Sequence, residues 1–246
     1  MSDISRTPLP AVRFGGIVLA GGRSTRMGRP KAWLPVGDRT MLETVVGAIA
    51  AGLRAAAGAE ASNIVAAPGA AAPIITAPMA ATPIVVVGAP GQDLPAAGEP
   101  VLRVDDDIEG EGPLRGMAAG FAALQGKADA AFVSSCDVPL LRPAFVALMI
   151  ALLGDDDIAV PVVEGLHHPL AAVYRIEVLE TVRDLLAREK RRPFFLFESR
   201  RTRLVTAAEL EAADPRLDSL KNFNTPDEYE SLVRSLETAR RPGRRA

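Results

Sequence analysis

One cysteine in 246 residues, Cys136, rules out an intrachain disulfide and any metal site built on thiolates, and it fits a reducing compartment. The two histidines are adjacent, His167-His168, with no third histidine and no suitably spaced cysteine to complete a zinc set. No basic excess exists either: 28 Lys and Arg against 30 Asp and Glu give a formal charge of -2, which offers no electrostatic footprint for a nucleic-acid backbone. Basic residues are local, at Arg23 to Lys31, Lys190 to Arg192 and Arg240 to Arg245. No apolar run suggests a bilayer span, and MSDISRTPLPAVRF lacks both an apolar and a charged signal region, so the expectation is a cytosolic protein without membrane or nucleic-acid partners. A Ser-His-Asp pattern is missing too, and Cys136 at a strand end reads as a buried, inert thiol.

What is present is 48% hydrophobic and long enough for one sizeable α/β domain, too short for two. Residues 17 to 31, IVLAGGRSTRMGRPK, carry the most information. A short apolar strand runs into a glycine pair and then into a cationic turn with Arg26, Gly28 and Lys31. Gly21 and Gly22 have no Cβ, so backbone N–H groups there can approach an anion closely, and Arg26 and Lys31 supply charge. Neither G-x-x-x-x-G-K-[ST] nor G-x-G-x-x-G can be read in this stretch, so the commoner phosphate loops are excluded.

Along the chain, residues 1–13 read as a disordered tail, 14–236 as one domain and 237–246 as a basic tail. Ile17 to Ala20 is the first strand. Thr40 to Leu53 follows as a helix, with Thr40 as N-cap and Glu43 three residues on. From about 55 to 82 the composition falls to Ala, Pro and Gly, which reads as a low-complexity insertion before a strand at Pro83 to Gly88. Val101 to Val104 leads to Asp105-Asp106-Asp107. Then come a helix at Leu114 to Leu124 behind GPLRG, a strand at Ala128 to Ser134 and a helix at Arg142 to Leu153. Strands at Ile158 to Val163 and Pro169 to Tyr174 precede a helix at Ile176 to Arg188. Phe194 to Phe197 and Arg203 to Val205 are regular, and Pro226 to Ala239 is a terminal helix with proline in its first turn. Helices alternating with strands imply a three-layer α/β fold on a mostly parallel, Rossmann-like sheet.

Asp137 stands just past the C-terminal end of a buried strand, the edge where ligands bind in open parallel sheets. A carboxylate there suits Mg²⁺, which takes one or two protein oxygens and fills its octahedron with phosphates and water. The bland reading of Asp137 is a cap for the following helix. Asn222 and Asn224, on alternate residues of an extended segment, face the same way and could bind a polar ring or a phosphate. An Asx turn capped by Asn224 or Thr225 is compatible with that. Lys190 to Arg192 could meet a substrate phosphate, but a solvated helix end is the favoured account.

LAGGRSTRMGRPK, GPLRG at 112 to 116, CDVP at 136 to 139 and NFNTP at 222 to 226 occur in the order found in the molybdenum cofactor guanylyltransferases, members of the nucleotidyltransferase superfamily, which this chain resembles from about Phe14 to Val233. The resemblance implies transfer of GMP from GTP to molybdenum-bearing molybdopterin, with pyrophosphate released and molybdoenzyme apo-proteins or their chaperones downstream. It implies that Leu19, Ala20, Gly21 and Gly22 cradle the guanine and sugar, that Arg26 and Lys31 hold the triphosphate, and that Asp137 binds the metal. An aspartate before GPL, by spacing Asp106 with Asp105 and Asp107 open, and Gly116 would also meet the nucleotide. His168, Asn222 and Asn224 would meet the acceptor. LAGG in place of LAAG favours guanine over cytosine, since a methyl at Gly22 would crowd a purine. A cytidylyltransferase, another nucleotidylyltransferase and a non-catalytic cofactor chaperone are the rival readings. Pro30, where relatives carry an acidic residue, is the chief departure in the loop.

Overall fold

The computed structural model describes residues 12–21, 30–58, 82–106 and 112–240, the last five as backbone only. The N-terminal tail through residue 11, residues 22–29 with Gly22 and Arg26, residues 59–81 of the expected insertion, Asp107 and the final six residues lie outside the described residues.

Strand β1 (Phe14–Leu19) lies between β4 (Ile84–Gly88) and β6 (Ala130–Ser135), parallel to both. It begins three residues earlier than the apolar run predicts, because Gly15 and Gly16 let neighbouring chains press in. A Cβ on Gly15 would stand 2.8 Å from the Pro83 carbonyl, and one on Gly16 would stand 2.6 Å from Ile49. Beyond β4 lies β5 (Leu102–Asp105), also parallel. On the other side β9 (Ala171–Arg175) runs antiparallel between β6 and β7 (Ile158–Val163), and β10 (Thr202–Thr206) closes that edge parallel to β7. The order is β10-β7-β9-β6-β1-β4-β5, with β8 (Leu166–His167) a short hairpin partner of β7.

Central strands buried on both faces explain the uninterrupted apolar runs that mark them in the sequence. Val18, Val86 and Phe132 face one layer, made by α1 (Met41–Gly58) and α3 (Pro143–Leu152). Ile17, Val85 and Val133 face the other, made by α2 (Pro113–Leu124) and α4 (Leu179–Ala187). The helices approach closely at glycines: a Cβ on Gly52 of α1 would fall 2.5 Å from Val146 Cβ.

Helix α1 starts where the sequence placed it, with Thr40 and Glu43 exchanging side-chain to backbone hydrogen bonds at 3.2 Å. It ends later. Ala55 to Gly58, assigned to the insertion by composition, continue the helix, because alanine is the best helix former and Ala56 is buried in the core. Its 18 residues are also long and apolar enough to cross a bilayer, a correction to the expectation that no run reaches that length. Packing between β1 and α3 accounts for that apolar surface, since ten of its residues are buried.

The antiparallel pair β2 (Pro35–Val36) and β3 (Arg39–Thr40) forms a small separate ribbon. Its apolar side, with Leu34, Val36 and Met41, packs on Tyr229 of α7 (Pro226–Arg240), and the Tyr229 hydroxyl donates to the Pro35 carbonyl at 2.6 Å. This contact joins the segment that carries Lys31 to the segment that follows Asn224. Short α5 (Phe194–Ser199) and α6 (Ala207–Leu210) bracket β10.

Candidate functional site

After β1 the chain crosses through α1 to β4 on one side, and after β5 it crosses through α2 to β6 on the other. The carboxyl ends of β1 and β6 therefore flank the point where the sheet order reverses, which is where open α/β sheets form a crevice. Leu19 pairs with Val87 and with Ser135 at that rim, and the Cys136 N–H donates to the Leu19 carbonyl at 3.0 Å. The turn after β6 thereby directs Asp137 into the crevice.

Three segments distant in sequence meet there. Lys31, on a single 3-10 turn over Lys31–Trp33, donates from Nζ to Asp137 Oδ2 at 2.7 Å and to Asn224 Oδ1 at 2.9 Å. The Ser135 hydroxyl donates to the other Asp137 oxygen, Oδ1, at 2.6 Å. The Asp137 and Lys31 side chains are only 15% and 16% exposed, so the pair is enclosed yet still opens on the rim. NFNTP arrives as an extended strip whose Phe223 N–H donates to the Asp137 carbonyl at 3.2 Å. Thr225, rather than Asn224, caps α7: Glu228 N–H donates to the Thr225 hydroxyl, and the Glu228 carboxylate accepts from the Asn224 and Thr225 N–H groups. Those backbone N–H groups hold the Glu228 carboxyl below its ordinary range. With capping done by Thr225, the Asn224 amide is left to reach Lys31, while Asn222 stays exposed.

On the β4 side, the Ala20 and Gly21 N–H groups both donate to the Val87 carbonyl, at 2.7 and 3.1 Å. A Cβ on Gly21 would stand 3.3 Å from the Ala89 nitrogen, so the strip from Leu19 to Gly21 lies flat against the end of β4. Gln92, which the sequence did not single out, locks this contact by donating to the Ala20 carbonyl at 3.1 Å and accepting from the Ala89 N–H at 2.8 Å. Ser135 was missed as well. Its only sequence signal is its place two residues before Asp137 at a strand end.

Asp106, hydrogen-bonded through its N–H to the Gly88 carbonyl, places Oδ2 beside α2: a Cβ on Gly116 would stand 3.5 Å from that oxygen and 3.3 Å from Leu19. Asp105 belongs to β5 and is exposed. Gly112, at the N-terminus of α2, has φ 89°, a conformation that favours glycine.

Beside that helix start opens a cavity of about 680 Å³ lined by Gly112, Pro113, His167, Pro169, Arg191, Arg192 and Phe194, among others. His167 stacks on Phe197 with ring centroids 5.3 Å apart and meets Phe194 edge-on at 5.9 Å. It is His167 that lines this cavity. His168 is half-buried beside it, and burial, then the neighbouring His167, lowers its pKa. Arg191 and Arg192, exposed as the reading of a solvated helix end expects, also border the cavity, while Lys190 lies over the Phe195 ring at 5.0 Å.

The donor set suits a hard divalent ion. Asp137 offers a carboxylate at the rim and Asp106 a second hard oxygen donor nearby in the fold. Among the described residues no group of three or more His, Cys, Asp or Glu could form an all-protein cage. Soft chemistry is closed off, since burial and then Asp137 push the Cys136 thiol up to about 12.

The family described as MobA-like NTP transferase domain matches residues 16–203. A protein of Mycobacterium ulcerans named probable molybdenum cofactor guanylyltransferase is 32% identical over 229 residues, 91% of this chain and 95% of that one. Among solved structures, the molybdopterin-guanine dinucleotide biosynthesis protein A of Archaeoglobus fulgidus superposes with a TM-score of 0.63 at 17% identity, over 91% of this chain and 99% of its own. A Mycobacterium tuberculosis protein solved in complex with manganese gives a TM-score of 0.51 at 17% identity, over 91% and 99% of the two chains. The last two likenesses show the shared three-layer α/β architecture.

Proposed function

This chain belongs to the MobA-like NTP transferase family, and from that premise we propose that it transfers GMP from GTP to molybdopterin carrying molybdenum and releases pyrophosphate. The observation that carries the reading is the 2.7 Å contact between Lys31 and Asp137, 106 residues apart, at the crevice where the sheet order reverses. A phosphate-binding cation and a metal-binding carboxylate are the two groups that a nucleotidyl transfer needs from a protein.

In the reaction, an oxygen of the acceptor's phosphate bonds to the α-phosphorus of GTP, and the bond from that phosphorus to the pyrophosphate oxygen breaks. No covalent enzyme intermediate is required, which agrees with the burial of the Cys136 thiol. The protein's tasks are to align two anions and to offset the charge that grows on the leaving pyrophosphate. Lys31, with Arg26 beside it in sequence, takes the triphosphate. The flat strip Leu19 to Gly21, with Gly22 next in sequence, receives the guanine and sugar through backbone groups. Gly116 leaves room on α2 for the nucleotide, and Asp106 faces it. A divalent ion, Mg²⁺ in this reading, would be held by Asp137 with help from Asp106, and when bound it screens the phosphate charges. Asn224, Asn222 and His168 face the acceptor. The cavity beside His168 combines stacked rings with two guanidinium groups, a match for a flat pterin bearing phosphate. The cytosol is the expected place of action.

Purified protein should release pyrophosphate with GTP and molybdopterin together, and neither alone should suffice. A preference for CTP would move the assignment to the cytidylyl relatives. Tight GTP binding without any pyrophosphate release would point to a cofactor chaperone.

A further inference from the structure

The two oxygens of Asp137 have different partners. Oδ1 accepts from the Ser135 hydroxyl at 2.6 Å, and Oδ2 accepts from the Lys31 ammonium at 2.7 Å. That same ammonium donates to Asn224 Oδ1 at 2.9 Å. One nitrogen thus touches the carboxylate assigned to the metal and the amide assigned to the acceptor, while its own assigned partner is the triphosphate.

Resting on the functional reading above, we propose that Lys31 is a hand-over cation: with no nucleotide bound it covers the Asp137 oxygen that a divalent ion must use, and the triphosphate draws it away. An ammonium and a divalent ion cannot share Oδ2, because like charges at hydrogen-bond distance repel strongly in an enclosed site. A metal arriving alone must displace Lys31 and leave the ammonium without its carboxylate. A metal arriving with a triphosphate brings Lys31 a new anion, so the exchange conserves pairing. Ser135 keeps its place on Oδ1 and fixes which oxygen changes hands. When Lys31 leaves, it also leaves the Asn224 amide, which turns to the acceptor only after the nucleotide has loaded. Binding order then follows from one side chain that exchanges Asp137 and Asn224 together for the triphosphate.

The test is Mn²⁺ binding to the full chain, followed by electron paramagnetic resonance of the free ion, for wild type, Lys31→Met and Lys31→Arg. Without nucleotide, Lys31→Met should bind Mn²⁺ at least about tenfold more tightly than wild type, because Oδ2 is uncovered. Lys31→Arg should stay within about threefold of wild type, since a cation still faces the carboxylate. In Lys31→Met combined with Asp137→Asn the gain should vanish. With GTP present the order should reverse, wild type then holding Mn²⁺ more tightly than Lys31→Met. No gain in Lys31→Met, an equal gain in Lys31→Arg, or a gain that survives Asp137→Asn would overturn the hand-over. Should circular dichroism show that Lys31→Met does not fold, Lys31→Gln takes its place: a tightening of Mn²⁺ binding supports the hand-over and unchanged binding overturns it. Pyrophosphate release by the wild type is measured in parallel: its absence counts against the transferase reading, whereas the metal titration alone decides the hand-over.

Discussion

Two clusters of enclosed carboxylates differ in how completely their charge is answered. At the rim, among the described residues, Asp137 meets one ammonium and one hydroxyl, and the ammonium is shared with Asn224. In the loop before NFNTP, Asp218 is met by Arg142, Arg216 and Lys221 at 3.4, 2.8 and 2.8 Å. Asp214 in the same loop has no exposed surface, accepts from the Ser219 N–H at 2.7 Å and lies 3.1 Å from Arg142 Nε. The Arg142 backbone N–H adds a bond to the Ser219 hydroxyl at 3.1 Å. Cations surround the carboxylates in the second cluster, and exchanging any partner leaves a buried charge behind. At the rim one ammonium is shared between Asp137 and Asn224, and a phosphate could replace either. The first arrangement is built to exchange partners, the second to hold a loop in place. Because Arg142 follows CDVP closely and Ser219 precedes NFNTP, the holding cluster ties together the two segments that bear Asp137 and Asn224.

Substitutions should separate these roles. The largest effect is expected from Lys31→Ala, which should lower the rate of pyrophosphate release by about a thousandfold or more. The same change should cost no more than about 2 kcal/mol in urea unfolding, since water at the rim can reach the released carboxylate. Arg142→Ala should show the opposite pattern: about 3 kcal/mol or more of stability lost, because Asp214 and Asp218 stay buried with fewer cations. Its turnover at a temperature where it is folded should fall by about tenfold or less. Equal losses of stability in the two variants would erase the distinction.

Gly52→Ala probes the frame that both clusters share. The added methyl would meet Val146 Cβ at 2.5 Å and the Pro143 carbonyl at 2.8 Å, where α1 and α3 touch, so a loss of about 1–3 kcal/mol with unchanged KM for GTP is expected. The smallest effect is in acid. Burial works to raise the Asp218 pKa, but hydrogen bonds from Lys221 and Arg216 outweigh it and leave the group below its ordinary value of 3.8. With the folded pKa below the unfolded one, Asp218 contributes stability that is present above the ordinary carboxylate range and lost as pH falls through its folded value. Asp218→Asn should therefore flatten the acid limb of an unfolding-against-pH curve. An unaltered limb would assign that dependence to other carboxylates.

The periodic and capped elements were legible before any coordinates. The Thr40 and Glu43 capping pair, the β-branched run of β4 and the proline-led α7 each depend on neighbours in the chain, so local sequence suffices to find them. Composition misjudged residues 55–58, because an alanine-rich segment reads equally as linker or helix until a core is offered to it. Arg191 and Arg192 are solvent-exposed as expected, but they border a cavity only because β8 and α5 bring His167, Phe194 and Phe197 beside them. Ser135 and Gln92 carry no motif. Their hydrogen bonds depend on strand ends that meet only in the folded sheet.

Contiguous residues were enough to specify the layered α/β architecture and the set of charged groups available for chemistry. Folding in three dimensions was needed for Lys31 to share its ammonium between Asp137 and Asn224, across 106 and 193 positions of chain. That sharing depends on Tyr229 docking α7 onto the β2–β3 ribbon and on Cys136 hydrogen-bonding to the end of β1. Both are contacts between surfaces that do not exist until the sheet has formed.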